Sequence, residues 1–259
     1  MINFYTLYSG SSGNSALIST DNTNILIDAG VSATKIITAL NEVGVNPKEI
    51  DAILITHEHS DHIAGLDIFL KKFNIPVYAN KETLSVLEGS IHNVYSDRFR
   101  EITPFESFTI RDTQIFPFDI SHDAIHPMGY SIMCDDTKVS FVTDMGKINE
   151  TILKIICKSK AVLIESNYDE KMLMSGFYPW NLKKRILGDK GHLSNDKAAW
   201  VATQLASWGT EHIALGHLSE NNNTPDIAYS TVYSMLKSNS LENTVTLTVA
   251  PRSKVHKVL

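Results

Sequence analysis

The sequence predicts an α/β fold, and three observations carry that prediction. Short apolar runs end repeatedly in an acid or a histidine: Ile25-Leu26-Ile27-Asp28, Ile53-Leu54-Ile55-Thr56-His57, Val142-Thr143-Asp144, Ile164-Glu165 and Leu215-Gly216-His217. Stretches between them space apolar residues at three and four, the period of an amphipathic helix. Strands alternating with helices read as α/β. The length of 259 residues, 43% of them hydrophobic, suits one large domain spanning residues 1–259.

In chain order, residues 3–8 read as a strand. Ser9-Gly10-Ser11-Ser12-Gly13-Asn14-Ser15 follows, either a tight turn or a backbone cradle for phosphate. Residues 16–19 and 24–28 form a hairpin around Asp21-Asn22. Ser32 can cap a helix that turns Ile36, Ile37 and Leu40 inward. The run Asp51-Ala52-Ile53-Leu54-Ile55 is a buried strand, and residues 63–73 form a helix with Leu66, Phe69, Leu70 and Phe73 on one face.

Between that strand and helix lies Thr56-His57-Glu58-His59-Ser60-Asp61-His62, around which the chain is organised. It crowds three of the chain's 10 histidines together with Asp61. A two-residue step lets His57 and His59 point the same way from extended backbone. Asp61 and His62 can then turn toward a second ion.

Further on, residues 76–79 read as a strand, 81–88 as a helix and 108–118 as two strands around Asp112-Thr113. His122 follows them. Residues 130–133 and 138–143 form a hairpin through Asp135-Asp136, ending at Asp144. Residues 161–165 are a buried strand ending in Glu165. Ser194 or Asn195 starts a helix holding Ala198, Val201, Ala202 and Leu205, just after His192. A last strand delivers His217. The remaining histidines, His92, His126, His212 and His256, are read as surface or structural residues.

The net charge of −6 argues against nucleic-acid binding over the whole surface but leaves room for a local basic groove. Lys183-Lys184-Arg185, with Lys190, is such a cluster; it can hold a nucleic-acid backbone or simply be a solvated helix face. Tyr178 and Trp180 nearby can stack on a base or pack in a core or lid. No apolar run is long enough for a membrane helix, and no secretion signal is expected at Met1-Ile2-Asn3-Phe4-Tyr5. With two cysteines, Cys134 and Cys157, far from every motif, the protein is expected to be cytoplasmic with reduced thiols.

The pattern His-x-His-x-Asp-His after an apolar strand resembles the metallo-β-lactamase superfamily. Across essentially the whole chain the sequence resembles its YycJ/WalJ family of bacterial exonucleases. The matching pieces are residues 9–15 and 56–62, Ser121-His122-Asp123-Ala124, Glu165-Ser166-Asn167-Tyr168-Asp169, Gly191-His192-Leu193-Ser194-Asn195 and residues 216–222. The resemblance implies an αβ/βα sandwich of two mixed sheets flanked by helices, with metals at one edge.

It also implies two divalent ions. His57, His59 and His122 would hold one; Asp61, His62 and His217 would hold the other; Asp144 would bridge them, and Asp28 would lie beneath the loop as a hydrogen-bond acceptor. Zinc, manganese and iron all suit such nitrogen and oxygen donors. The implied activity is 5′-to-3′ exonucleolytic cleavage of DNA by a metal-bridging hydroxide, with His192, oriented by Glu165, protonating the departing alkoxide. Two other functions compete: thioester or lactam hydrolysis, and a catalytically silent regulatory binder. The Glu165 and His192 motifs oppose the first. The full set of ligand candidates opposes the second.

Overall fold

The computed structural model describes residues 1–91 and 96–259; His92 lies outside them. In the N-terminal half, β1 (Asn3–Tyr8), β2 (Ser15–Ser19) and β3 (Asn24–Ile27) are followed by helix α1 (Ala33–Glu42) and β4 (Ala52–Leu54). Helices α2 (Ser60–Ile63) and α3 (Leu66–Lys72) lead to β5 (Val77–Ala79), α4 (Lys81–Ser90) and β6 (Phe99–Glu101). Next come β7 (Phe108–Ile110), β8 (Thr113–Asp119), β9 (Met128–Cys134), β10 (Thr137–Val142), α5 (Glu150–Ile156) and β11 (Ala161–Glu165). The chain closes through α6 (Glu170–Ser175), α7 (Trp180–Leu187), α8 (Asn195–Ser207), β12 (His212–Gly216), α9 (Pro225–Ser238), β13 (Thr246–Val249) and β14 (His256–Lys257).

The strands of the described residues form two seven-stranded sheets, ordered β14-β1-β2-β3-β4-β5-β6 and β13-β12-β11-β10-β9-β8-β7. Each is mixed. Hairpin neighbours β1/β2/β3 and β8/β9/β10 are antiparallel, whereas β3/β4/β5/β6 and β10/β11/β12/β13 run parallel. Parallel neighbours need crossovers, and the helices supply them.

Strand alternation decides which side chains meet. Phe4, Ile18, Ile25 and Ile27 of one sheet pack against Ile115, Tyr130, Ile132, Phe141 and Leu163 of the other. The opposite faces carry Leu26 and Ile53 under Ile36, Leu40, Phe69 and Leu70 on one side. On the other side Val162, Ile164 and Ile213 lie under Ile152, Val201, Leu205 and Val232. The result is the αβ/βα sandwich the resemblance implied. Each fully buried Leu, Ile or Phe contributes about 1.5–3 kcal/mol of hydrophobic free energy. Tyr130, buried between the sheets, donates its hydroxyl to the Ile55 carbonyl at 2.6 Å. That bond fixes the strand end that launches the histidine loop against the opposite sheet.

Residues 63–73 depart from the expected single helix. The helix is divided at Gly65, whose N–H donates to the Ala29 carbonyl at 2.8 Å. A Cβ there would lie 1.9 Å from the Val31 carbonyl oxygen, so only glycine permits this approach. Leu66, Phe69 and Leu70 face the core as expected; Phe73 is half-buried against the same cluster. His126 lies at the surface between Glu82 and Asp119, and half-buried His256 bonds Thr248.

Candidate metal centre

Every predicted metal-ligating residue follows a strand, and the strand ends bring them to one edge of the sandwich. Open α/β sheets place ligands at the carboxyl ends of their strands for the same geometric reason. Three groupings hold their donor atoms within 4.8 Å of one another: His57, His59 and His122; His57, His62 and Asp144; Asp61, His62 and His217. Together they contain all seven residues named from the sequence. Asp144 stands between the sets, with Oδ2 3.2 Å from His62 Nε2 and Oδ1 3.8 Å from His122 Nε2.

The hydrogen bonds around the imidazoles set which nitrogen faces the centre. The Thr56 hydroxyl donates to Asp28 Oδ2 at 2.9 Å, so it accepts from His57 Nδ1 at 2.9 Å and leaves the lone pair on His57 Nε2, which lies 3.1 Å from His59 Nδ1. His62 Nδ1 donates to Asp28 Oδ2 at 2.7 Å, and His122 Nδ1 to the Gly191 carbonyl at 3.1 Å. Asp28, fully buried, also accepts from the Thr56 N–H at 2.8 Å. It therefore lies beneath the loop and holds both Thr56 and His62. Histidines that bind metals commonly have their second ring nitrogen tied down in this way.

The donor set suits a cation. Asp144 Oδ2 and His217 Nε2 are buried without a hydrogen-bond partner. Burial, reinforced by the charge of His62, keeps His57 neutral well below the usual imidazole range, and burial lowers His122 as well. Neutral imidazole is the ligating form. Burial disfavours the charged form of Asp144, but His217 and His62 more than offset it, and the carboxyl lies well below its ordinary value. Burial likewise opposes charge on His217, yet the charge of Asp144 and the facing carboxylate oxygens of Asp61 and Glu165 push it up to about 10. Carboxylates that draw a proton onto His217 equally attract a divalent cation in its place.

Glu165 has a wider role than the sequence suggested. Its Oε1 accepts from His192 Nδ1 and from His217 Nδ1, each at 2.8 Å. Its Oε2 accepts from the backbone N–H groups of Met145 and Leu193, each at 2.9 Å. Burial opposes its ionisation, but the two histidines outweigh this and the carboxyl is held at about 2. One buried carboxylate thus orients both a predicted ligand and the predicted proton donor. Asp144, Glu165, His192 and His217 also approach one another closely, but His192 Nδ1 is occupied by Glu165. The His192 side chain is 21% exposed and lines a pocket of about 170 Å³ with Ser11, Asp123, Tyr178 and Arg185.

Three site residues, Asp28, Asp144 and His217, have left-handed backbone with φ of 59°, 59° and 54°. Asp and His enter this region more readily than most residues, and it appears at sites where the surroundings over-determine the backbone. Each lies at or just after a strand end, where the left-handed turn re-aims the side chain into the centre.

Several supporting residues have roles that the sequence did not assign. The Gly10 carbonyl accepts from Gly13 N–H at 2.9 Å, so residues 9–15 make a tight turn. Within it Asn14 Nδ2 lies 3.1 Å from His62 Nε2, and Ser9 Oγ accepts from the His217 N–H at 2.9 Å. Glu58 faces away and accepts from the Ile125 N–H. Gly30 lies so close to the loop that a Cβ would sit 1.7 Å from the Asp61 carbonyl oxygen. Gly30→Ala should therefore displace Asp61 and cost about 1–3 kcal/mol or more. Thermal unfolding and metal content check this, and an unchanged Tm with full metal would refute it.

The basic cluster needs correction. Lys183 is only 8% exposed, and its Nζ donates to the Met174 and Gly176 carbonyls at 2.7 Å each. It closes the end of α6 and is not available to a phosphate, because α7 packs that face inward. Lys184 is exposed beside Trp180, and Arg185 pairs with Asp123 at the pocket that His192 lines.

Comparison with known proteins agrees with this geometry. A sequence model of the metallo-beta-lactamase superfamily matches residues 8–190. The chain is 36% identical over 236 residues to exodeoxyribonuclease YycJ of Bacillus anthracis, covering 91% of this chain and 89% of that protein. It is 40% identical over 232 residues to exodeoxyribonuclease WalJ of Streptococcus pneumoniae, covering 89% and 86%. Among solved structures it superposes on the metallo-beta-lactamase fold protein YhfI of Bacillus subtilis with a TM-score of 0.73 at 13% identity, covering 99% of each chain. Human tRNase Z, short form, gives 0.66 at 16% identity over 99% of each. At such identities these two likenesses speak for the fold alone. The chain belongs to the metallo-beta-lactamase superfamily of metal-dependent hydrolases and, within it, to the YycJ/WalJ family.

Proposed function

We propose that the protein is a phosphodiesterase that uses two divalent ions, zinc, manganese or iron, and releases nucleotides from the 5′ end of DNA. The observation that carries this reading is the Glu165–His192 pair, 2.8 Å apart, set beside the clustered ligands and open to a pocket. A nucleotide alkoxide is a poor leaving group and needs a proton, whereas the thiolate of a thioester leaves without one. The printed names of the two relatives support DNA and an exonucleolytic mode. The 5′ polarity rests on the family resemblance.

His57, His59 and His122 would hold one ion, and Asp61, His62 and His217 the other, with one Asp144 oxygen offered to each. When bound, such ions polarise phosphate oxygens and lower the pKa of a coordinated water. The chain supplies the rest. Asp28, Thr56 and Glu165 keep the imidazoles in one orientation. His192 binds Glu165 through Nδ1, so its transferable proton sits on Nε2. Lys184 and Arg185 would attract the backbone. We read the setting as the cytoplasm, where Cys134 and Cys157, both free thiols, would stay reduced.

The test is digestion of end-labelled single-stranded and duplex DNA and RNA with added Mn²⁺. Label at the 5′ end of DNA should be released first, as short products. Thioester turnover at enzyme-like rates with no action on any nucleic acid would overturn the proposal.

A further inference from the structure

Beside the His192 pocket, the connection from α6 to α7 exposes apolar surface that the fold does not use. Phe177 is 80% exposed and Trp180 55%. Single exposed apolar side chains are ordinary, but these stand close together in sequence, Phe177 in the connection and Trp180 as the first residue of α7. The Phe177 ring meets Tyr178 edge-on, with centroids 5.2 Å apart, and Tyr178 lines the pocket containing His192.

The turn is held firmly from beneath. Lys183 Nζ clamps the Met174 and Gly176 carbonyls, and Asn221 Nδ2 donates to the Tyr178 hydroxyl at 3.0 Å. A Cβ on Gly176 would come within 2.8 Å of the Met172 carbonyl oxygen, so the backbone packs tightly there. Polar bonds thus fix a backbone whose Phe177 and Trp180 side chains face solvent. Cations accompany the aromatics: Lys184 Nζ lies 5.7 Å from the Trp180 ring centroid, and Arg185 lines the pocket. Rings interleaved with cations match a strand of stacked bases joined by phosphates.

We propose that Phe177, in the connection from α6 to α7, and Trp180, at the start of α7, form a base-stacking platform for single-stranded nucleic acid, which positions the strand end so that its scissile phosphate meets His192. This rests on the nuclease reading and adds a substrate form to it: unpaired ends, bound with little preference among bases, since every base offers a π face. Phe177 is a positioning residue here and does not act on the phosphate.

The experiment measures binding of a short, fluorescein-labelled, single-stranded phosphorothioate oligothymidine to the full chain by anisotropy. Alongside it run turnover of bis-p-nitrophenyl phosphate and sedimentation. Phe177→Ala should weaken Kd by about 5- to 150-fold, the range for one lost stacking contact. It should leave turnover of the small ester, which has no base, unchanged. Phe177→Trp should bind as the unaltered protein does. An oligomer with abasic sugars should bind the unaltered protein more weakly by at least the same factor, yet bind a Phe177→Ala, Trp180→Ala double variant no worse than the intact oligomer does. If the unaltered protein binds and digests DNA, and Phe177→Ala and Trp180→Ala do so equally well, the platform is refuted and the nuclease reading stands. If the unaltered protein neither binds nor cleaves any nucleic acid, both fall. A Phe177→Ala change in sedimentation with unchanged affinity would assign the surface to self-association and refute the platform.

Discussion

Replacing His192 with alanine should keep both metal ions and the fold while lowering kcat on DNA by about 10²–10⁴-fold, the usual contribution of a positioned general acid. The reason lies in the division of labour around Glu165. His192 and His217 share Oε1 of this carboxylate, but only His217 also approaches Asp61, its Nε2 lying 3.6 Å from Asp61 Oδ2. His192 looks outward to the pocket. On bis-p-nitrophenyl phosphate the loss should be far smaller, because p-nitrophenolate leaves without a proton. Equal losses on DNA and on the activated ester would remove the acid role; lost metal would make His192 a ligand.

The pH dependence has a definite sign. Burial lowers the His192 pKa, but the charge and hydrogen bond of Glu165 more than offset it, and the net shift is upward. A group that must be protonated loses activity as pH rises through its pKa. Glu165→Gln removes the stabilising charge, so the falling limb of kcat against pH should move to lower pH. An unmoved limb would assign it to another group.

Asp144→Asn should have an effect as large or larger. The carboxylate is buried among four imidazoles, with His62 at 3.2 Å, His217 at 3.3 Å, His122 at 3.8 Å and His192 at 3.9 Å. Asparagine keeps the shape but removes the charge and one acceptor oxygen. A bridging position lost in this way weakens both ions together. Several kcal/mol of transition-state charge stabilisation would go with them, which is a rate loss of about 10³-fold or more. Elemental analysis of the purified variant is the direct measurement. Two ions per chain with unchanged activity would show that Asp144 does not bridge.

The predicted ligands were legible because metal chemistry restricts residue types, and strand ends restrict where they fall. His57, His59, Asp61 and His62 announce themselves by spacing. His122, Asp144 and His217 are lone residues whose meaning came from their order along the chain. The supporting partners were harder to see. Ser9 and Asn14 reach His217, Asp61 and His62 through hydrogen bonds across more than forty residues of chain, which leaves no periodicity to read. Lys183 looked like one of three surface cations because sequence gives composition before orientation; its place on α7 turned it inward. The break at Gly65 was hidden because the apolar spacing of 63–73 continues across it. Most strands were readable, since apolar runs bounded by turn residues mark them locally, but β6, β13 and β14, short and without a buried residue, were not. Their pairing across the sandwich depends on contacts such as Tyr130 to Ile55, seventy-five residues apart.

The left-handed backbone at Asp28, Asp144 and His217 makes the site vulnerable to improvement. Each such residue carries a conformational cost of about 1–3 kcal/mol that its surroundings must hold in place. Glycine adopts the same dihedrals without that cost. A library of variants sorted only for expression or heat resistance would therefore drift toward glycine or asparagine at these positions and steadily discard Asp28 and the candidate ligands Asp144 and His217. A library sorted for turnover would retain Asp and His there. Sequencing the two libraries side by side would separate positions kept for the chain's own stability from those kept for its chemistry.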